Sequence, residues 1–268
     1  MKIKIKLKLL FRIGIITTLI LLLGFIALLI PAIPKVQRDS HRMDCRSNIK
    51  GIFLTVANYQ YKEEYRINHE KIPFLGDKTT GEEYWSWRAE FIIRHDYNDK
   101  LKFRLTERWN SEYNLPLFKN IRDETRNLFC SSDKQSEKAS YVAVKGSGTV
   151  WTEMQNGNLS ENIWDYAENI LIIETSEPKN FWAEPGDDVS PEEVIRLFEA
   201  DPGLVKNSKQ KWYDRSHWPK HYVNAIGEVK SFGEIKDVEE LRKLLTVSPE
   251  QIEAVRKKVE ERERMMQQ

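Results

Sequence analysis

Apolar positions crowd the start of the chain. Residues 13–33, IGIITTLILLLGFIALLIPAI, hold no charge. As a helix rising 1.5 Å per residue they would span about 30 Å, one hydrocarbon core. Beyond them the period changes. Cys45, Ile49, Ile52, Phe53, Val56 and Tyr59 recur at three- and four-residue spacing. That is one face of a helix continuing to about Tyr65, half covered and half wet. Pro31 and Pro34 each remove a backbone donor, so a kink is expected between the halves.

From residue 66 to 235 the pattern shortens into strand-like runs with turns between them: FRLTERW, SYVAV, NILIIET and a terminal hairpin, YVNAIGEVKSF. Gly227-Glu228 suits a two-residue type II′ turn in that hairpin. A helix is expected from Pro191 to Glu199, with Ser190 as cap and Glu193 completing a capping box. Residues 236–268 read as a helical tail. One helix lies near Val238–Leu245, and a second is capped by Ser248, with Pro249 at its first position and Gln251 at its third. Ile252, Val255 and Val259 form a narrow apolar stripe on the second. The fold class is therefore α+β: a long N-terminal helix, its first half transmembrane, packed on an antiparallel sheet.

Composition narrows the function classes. The 268 residues carry 42 Lys+Arg against 41 Asp+Glu, so net charge gives no long-range attraction to phosphate backbones, and no nucleic-acid partner is expected. At 40% hydrophobic and 31% charged the chain has material for a core. Two cysteines exclude a tetrathiolate zinc site within one chain. Ahead of the apolar run stand Lys2, Lys4, Lys6, Lys8 and Arg12, with no acid among residues 1–12. A cleaved signal peptide needs a shorter core and a small-x-small site; PKVQRDSHRMDC offers none, so a retained anchor is expected. Lys35, Arg38, Arg42, Arg46 and Lys50 balance the charges on the other flank. Charge counting alone therefore leaves the orientation open.

Residues 28–60, LLIPAIPKVQRDSHRMDCRSNIKGIFLTVANYQ, resemble the opening of the DUF1559 family of pilin-like (pseudopilin-like) proteins of planctomycete-type bacteria. The shared pattern reads here as Cys45, Asn48, Ile49, Lys50 and Ile52, with Tyr59 and Tyr61 downstream. Further segments follow in the family's order: WSWRAEFII (85–93) is similar to its Ser-Trp-Arg strand, RWNSEYNLPLF (108–118) to its Trp-Asp-Ser segment and NLFCSSD (127–133) to its Phe-x-Cys-Pro-Ser-Asp. SYVAVKGSGTVW (140–151) and ILIIETSEPKNFWAEPGD (170–187) complete the series, so the resemblance covers about 28–245. It implies a pilin-like fold and a membrane-anchored protein with a cytoplasmic residue 1–12 segment and an extracytoplasmic body. It also implies other pilin-like or envelope proteins as partners beside the bilayer. No cofactor and no enzymatic activity are expected. Two departures stand out. Leu9 and Gly14 occupy the places of the family's processing Gly and Glu, so peptidase recognition is lost. In the C-terminal His-x9-Asp-Gly signature, alignment on Gly227 puts Ile226 where Asp belongs.

The candidates for chemistry are few. Cys45 and Cys130 flank 84 residues. In an oxidising compartment a disulfide between them would contribute about 4–5 kcal/mol by loop closure; two buried free thiols are the alternative. His217 and His221 have helical zinc-ligand spacing, but Pro219 between them favours a loop. GSG at 146–148 lacks the third glycine of a dinucleotide fingerprint, Trp151 standing in its place, and reads as a turn. Glu174, Glu184, Asp187 and Asp188, near Trp182, are the carboxylates a hydrolase or cation site would use. Solvent-exposed strand-end acids explain them more simply. The tryptophans read mostly as core. The weak binding candidates are thus Glu174, Trp182, Glu184 and His217. The function read from the sequence is a membrane-anchored pilin-like protein, structural in an envelope or secretion-type assembly. A tethered module binding a solute or glycan is the runner-up, and a tethered hydrolase comes third.

Overall fold

A computed structural model describes residues 2–29, 32–61, 76–77, 80–92, 102–121, 125, 128, 138–155, 166–175, 180–200 and 221–266. In chain order these form α1 (Lys2–Leu29), α2 (Ala32–Tyr61), β1 (Gly76–Asp77), β2 (Glu82–Glu83) and α3 (Trp87–Ile92). There follow a 3-10 helix (Leu115–Ile121), β3 (Tyr141–Ala143), α4 (Val150–Gln155), β4 (Ile170–Glu174) and α5 (Pro191–Ala200). The chain ends with β5 (His221–Asn224), β6 (Val229–Ser231), α6 (Val238–Leu245) and α7 (Pro249–Met266). Two compact units divide it, Met1–Asp44 and Cys45–Gln268.

In the first unit the side chains from Ile15 to Ile26 stand exposed, the large apolar ones at 44% to 69%. The hydroxyl of Thr18 donates back to the Gly14 carbonyl at 2.9 Å, so this polar group is satisfied within the helix. Among the described residues no helix is long and apolar enough to cross a membrane. Within the expected span, 13–33, α1 is described to Leu29 and α2 from Ala32. Pro31, where a kink is expected, lies outside the described residues, as does the expected helix end at 62–65.

The second unit is built on a four-stranded antiparallel sheet, ordered β3-β4-β5-β6, beside a two-stranded antiparallel pair, β1-β2. Its strands alternate between two cores. Toward α2 point Tyr141, Ala143, Leu171, Ile172, Val223 and Ala225, meeting Ile49, Ile52, Phe53 and Val56. Toward α5 and α6 point Val142, Val144, Ile170, Ile173 and Tyr222, meeting Val194, Ile195, Phe198, Leu241 and Leu245. A register shift between Ile170 and Ile172 puts Leu171 and Ile172 on the same side. Both faces are covered, which explains why ILII and YVAV read as continuous apolar runs rather than alternating ones. The expected tail thus contributes to the core, since Leu241 and Leu245 are fully buried.

Caps behave as the sequence suggests at two helices. Glu193 N donates to Ser190 Oγ at 3.2 Å. Ser248 and Gln251 exchange bonds of 3.0 and 3.2 Å at the start of α7. Two strand expectations are corrected. WSWRAEFII contains α3, because Ser86 Oγ accepts from Ala89 N at 3.3 Å and caps a helix there. FRLTERW is a chain of turns: buried Asn114 accepts from Arg104 N and donates to the carbonyls of Arg104 and Arg108 at 3.0–3.1 Å. Those backbone groups are then unavailable to a ladder.

The last hairpin also differs from expectation. Gly227 N donates to Asn224 O at 2.9 Å, and Asn224 N to Glu228 O at 3.1 Å. The central turn residues are therefore Ala225 and Ile226, and Gly227 follows them in the left-handed region at φ 78°. This is a tight turn closed by a left-handed glycine, not a two-residue II′ loop. Gly227 also lies against α2: a Cβ there would sit 2.4 Å from Phe53 Cε1. Gly227→Ala should therefore destabilise by about 2 kcal/mol or more through positive φ and overlap. Gly233, whose added Cβ meets only Ser231 Oγ at 3.6 Å, is the control and should tolerate alanine. Urea midpoints at unchanged slope measure both.

Candidate functional site

Two buried polar clusters hold the sequence candidates. The first forms where α3 and the loop 180–188 meet strand β3. Arg88, its side chain 0% exposed, places Nη2 at 2.6 and 2.8 Å from the two carboxylate oxygens of Asp187. Its Nε donates to Trp182 O and its Nη1 to Tyr141 O, each at 3.1 Å. The guanidinium also lies 5.2 Å from the Trp87 ring centroid. Next to it, Asp188 Oδ1 accepts from Trp87 Nε1 at 2.9 Å and from Ala143 N at 3.1 Å. Asp188 Oδ2 is 2.7 Å from Lys145 Nζ, which also reaches Glu83 at 3.4 Å. Trp182 O accepts a second bond from Ser86 Oγ at 2.6 Å.

Electrostatics follow from this packing. Burial raises the Asp187 carboxyl above its ordinary value, and the Arg88 guanidinium opposes that rise. Burial alone would lower the Lys145 ammonium. The Asp188 and Glu83 carboxylates outweigh it, and the net direction is upward. On the opposite face of the sheet, burial pushes the Tyr222 phenol up to about 12, assisted by the Glu234 and Glu240 carboxylates.

The second cluster crosses the sheet. Glu174 ends β4 and His221 begins β5; His221 Nδ1 lies 2.7 Å from Glu174 Oε2, and both side chains are nearly buried. Beside Glu174 in register is Tyr141, whose hydroxyl donates to Cys45 O at 3.2 Å. Beside His221 in register is Ser231, so a Ser-His-Glu row crosses three strands. Ser231 does not serve His221, however: its Oγ accepts from Gly233 N at 3.3 Å and caps the following 3-10 turn.

The structure thus separates the sequence candidates. Glu174 and Asp187 are buried and paired, which corrects their reading as exposed strand-end acids: His221 and Arg88 make their burial possible. Trp182 is core, its ring 5.2 Å from that of Phe118. Glu184 is half-buried, and its Oε2 accepts from Phe181 N at 3.3 Å within its own turn. His221 is a strand residue, not part of a loop. His217 lies outside the described residues, as do Trp164, Trp212 and Trp218. Cys45 is buried and disulfide-bonded; the other cysteine, Cys130, lies outside the described residues. GSG is a turn, closed by Thr149 N donating to Gly146 O at 3.1 Å. Among the described residues no group of three or more His, Cys, Asp or Glu is placed to hold a metal ion.

Sequence reasoning passed over Arg88 and Lys145. The signal for Arg88 was its place inside WSWRAEF, where a charge flanked by tryptophan and alanine requires a buried partner. The two consecutive acids after Pro185-Gly186 are that partner and its neighbour. No family model matches the chain, and no curated protein or solved structure matches it.

What both clusters do is hold strand ends and loops to the sheet. Arg88→Ala leaves Asp187 buried without its cation and should cost about 3–5 kcal/mol in chemical denaturation. Joint replacement by Arg88→Met and Asp187→Leu should restore most of it. Stability should also fall as pH rises from about 10 toward about 12. Through that interval the folded chain holds protons on Tyr222 and Lys145 that the unfolded chain releases. Tyr222→Phe should flatten this slope in alkaline unfolding curves.

Proposed function

We propose that this chain is a membrane-anchored, pilin-like extracytoplasmic protein with a structural role in an envelope or secretion-type assembly. The observation that carries the reading is the contrast along the N-terminal helices. In the second unit Ile49, Ile52, Phe53 and Val56 of α2 are seated on an antiparallel sheet, the packing that the DUF1559 resemblance implies. In the first unit the described apolar side chains of α1, from Ile15 to Ile26, are exposed on all sides of the helix and form no stripe. A helix apolar on every side suits lipid rather than a single protein groove. The disulfide at Cys45 supports an oxidising compartment for the second unit.

A binding role has less support. Trp85, Trp87, Trp151 and Trp182 are buried in the core, so these four rings offer no sugar-stacking platform.

Fractionation of the full chain with a C-terminal tag tests the proposal. The chain should remain in membranes after an alkaline wash, keep its N-terminus by intact mass, and resist protease added from the cytoplasmic side. Because Leu9 and Gly14 replace the processing residues, no free amine or glutamate is available to set a filament's subunit stagger. The purified chain should therefore stay a lone or loosely associated anchor in detergent. A soluble chain, one starting near residue 10, or filaments of this chain alone would each overturn part of this reading.

A further inference from the structure

We infer that Lys145 and Asp188 condense within the folded chain to an intramolecular amide, with Glu83 as the proton carrier. The backbone brings the two side chains together. Val189 N donates to Ala143 O at 3.1 Å, and Lys145 N donates to Val189 O at 2.9 Å, so the chain at Asp188 and Val189 runs parallel to the end of β3. The two oxygens of Asp188 are then used differently. Oδ1 accepts from Trp87 Nε1 at 2.9 Å and from Ala143 N at 3.1 Å, whereas Oδ2 lies 2.7 Å from Lys145 Nζ. Glu83 Oε1 is 3.4 Å from the same nitrogen. The Lys145 and Asp188 side chains are only 19% and 11% exposed. Neighbouring pairs lack this combination. The guanidinium of Arg88 stays protonated and is no nucleophile, and the pair of Lys230 with Glu228 stands in solvent.

The step balances without an oxidant. One proton passes from Nζ to Oδ2 along the bond between them, which leaves a neutral amine beside a neutral carboxyl. The Nζ lone pair attacks the Asp188 carboxyl carbon. Negative charge gathers on Oδ1, where the Trp87 and Ala143 N–H groups already point, as in an oxyanion hole. Glu83 removes a second proton from Nζ and returns it to Oδ2, which leaves as water. One ammonium and one carboxylate thus become one amide and one water, and Glu83 is restored. Held contact supplies the effective concentration, which for oriented groups reaches about 10⁵ M or more. The Asp188 and Glu83 carboxylates keep the proton on Nζ most of the time, so the bond forms slowly and after folding. The ion pair is the reactant state. Once condensed, Lys145 leaves the alkaline titration to Tyr222.

Intact-mass spectrometry of the full chain, denatured and reduced, tests this on freshly purified and on aged protein. The aged wild type should weigh one water less than its sequence, and a digest should yield a branched peptide joining Lys145 to Asp188. Lys145→Arg keeps the charge pair and should show the full mass. Glu83→Gln, at a half-buried position in β2, should also keep the full mass. Full mass in the aged wild type overturns the inference. A lost water that persists in Lys145→Arg places the dehydration elsewhere and overturns it too. Condensation that proceeds equally in Glu83→Gln overturns the role of Glu83.

Discussion

Three of the four strands in the second unit's main sheet, β3, β4 and β5, have no wet face, and most of the other features follow from that constraint. With α2 on one side and α5 and α6 on the other, the interiors of these three must be apolar on both faces, while the edge strand β6 stays half-buried. An antiparallel sheet of this kind cannot use alternation to fix its register, since a slip of one residue exchanges one apolar side chain for another. Register must be fixed by groups that tolerate only one partner. They stand at the strand ends. Glu174 meets His221 across β4 and β5, and Ala143 N, at the end of β3, meets the carboxylate of Asp188.

This gives the buried ionic groups a role consistent with their energetics. A buried pair gains little over a well-packed apolar substitute, but a broken one is costly. Arg88 with Asp187, and Lys145 with Asp188 and Glu83, therefore penalise misplacement more than they add stability. Arg88 is the most constrained of them. It spends donors on one carboxylate and two backbone carbonyls, so α3, the loop 180–188 and β3 are placed by one side chain.

Much of the fold was legible in the sequence where local chemistry decides. Ser190 and Ser248 mark helix starts because a hydroxyl cap is a short-range device, and the apolar face from Ile49 to Val56 shows its period without reference to other segments. Failures came where distant residues decide. Nothing within FRLTERW says that Asn114 will take its backbone bonds. Nothing within WSWRAEFII says that its arginine will find Asp187 about a hundred positions on. The candidate site was legible as a set of residue types but not as exposure. Glu174 and Asp187 look like surface acids until their cationic or imidazole partners are placed, and those partners come from other elements.

The hairpin at 224–229 shows how one polar side chain can organise a turn. Ile226, at its centre, has no side-chain oxygen to offer. Asn224 supplies it instead: its Oδ1 accepts from Glu228 N at 2.8 Å, and its backbone closes the loop on both sides. What cannot be substituted is the glycine. A left-handed residue is required to reverse the chain, and the Phe53 ring leaves no room for a Cβ at that point. The Gly227 carbonyl, freed from the ladder by the turn, accepts from Lys50 of α2, and the Val229 carbonyl at the sheet edge accepts from Arg46. Two cations therefore cap an open sheet edge, where unpaired carbonyls otherwise invite another strand. The same contact fixes the helix register against the sheet, since Lys50 and Phe53, one turn apart, bracket a single glycine. Charge that would otherwise stand on the helix surface is thereby committed to tertiary structure.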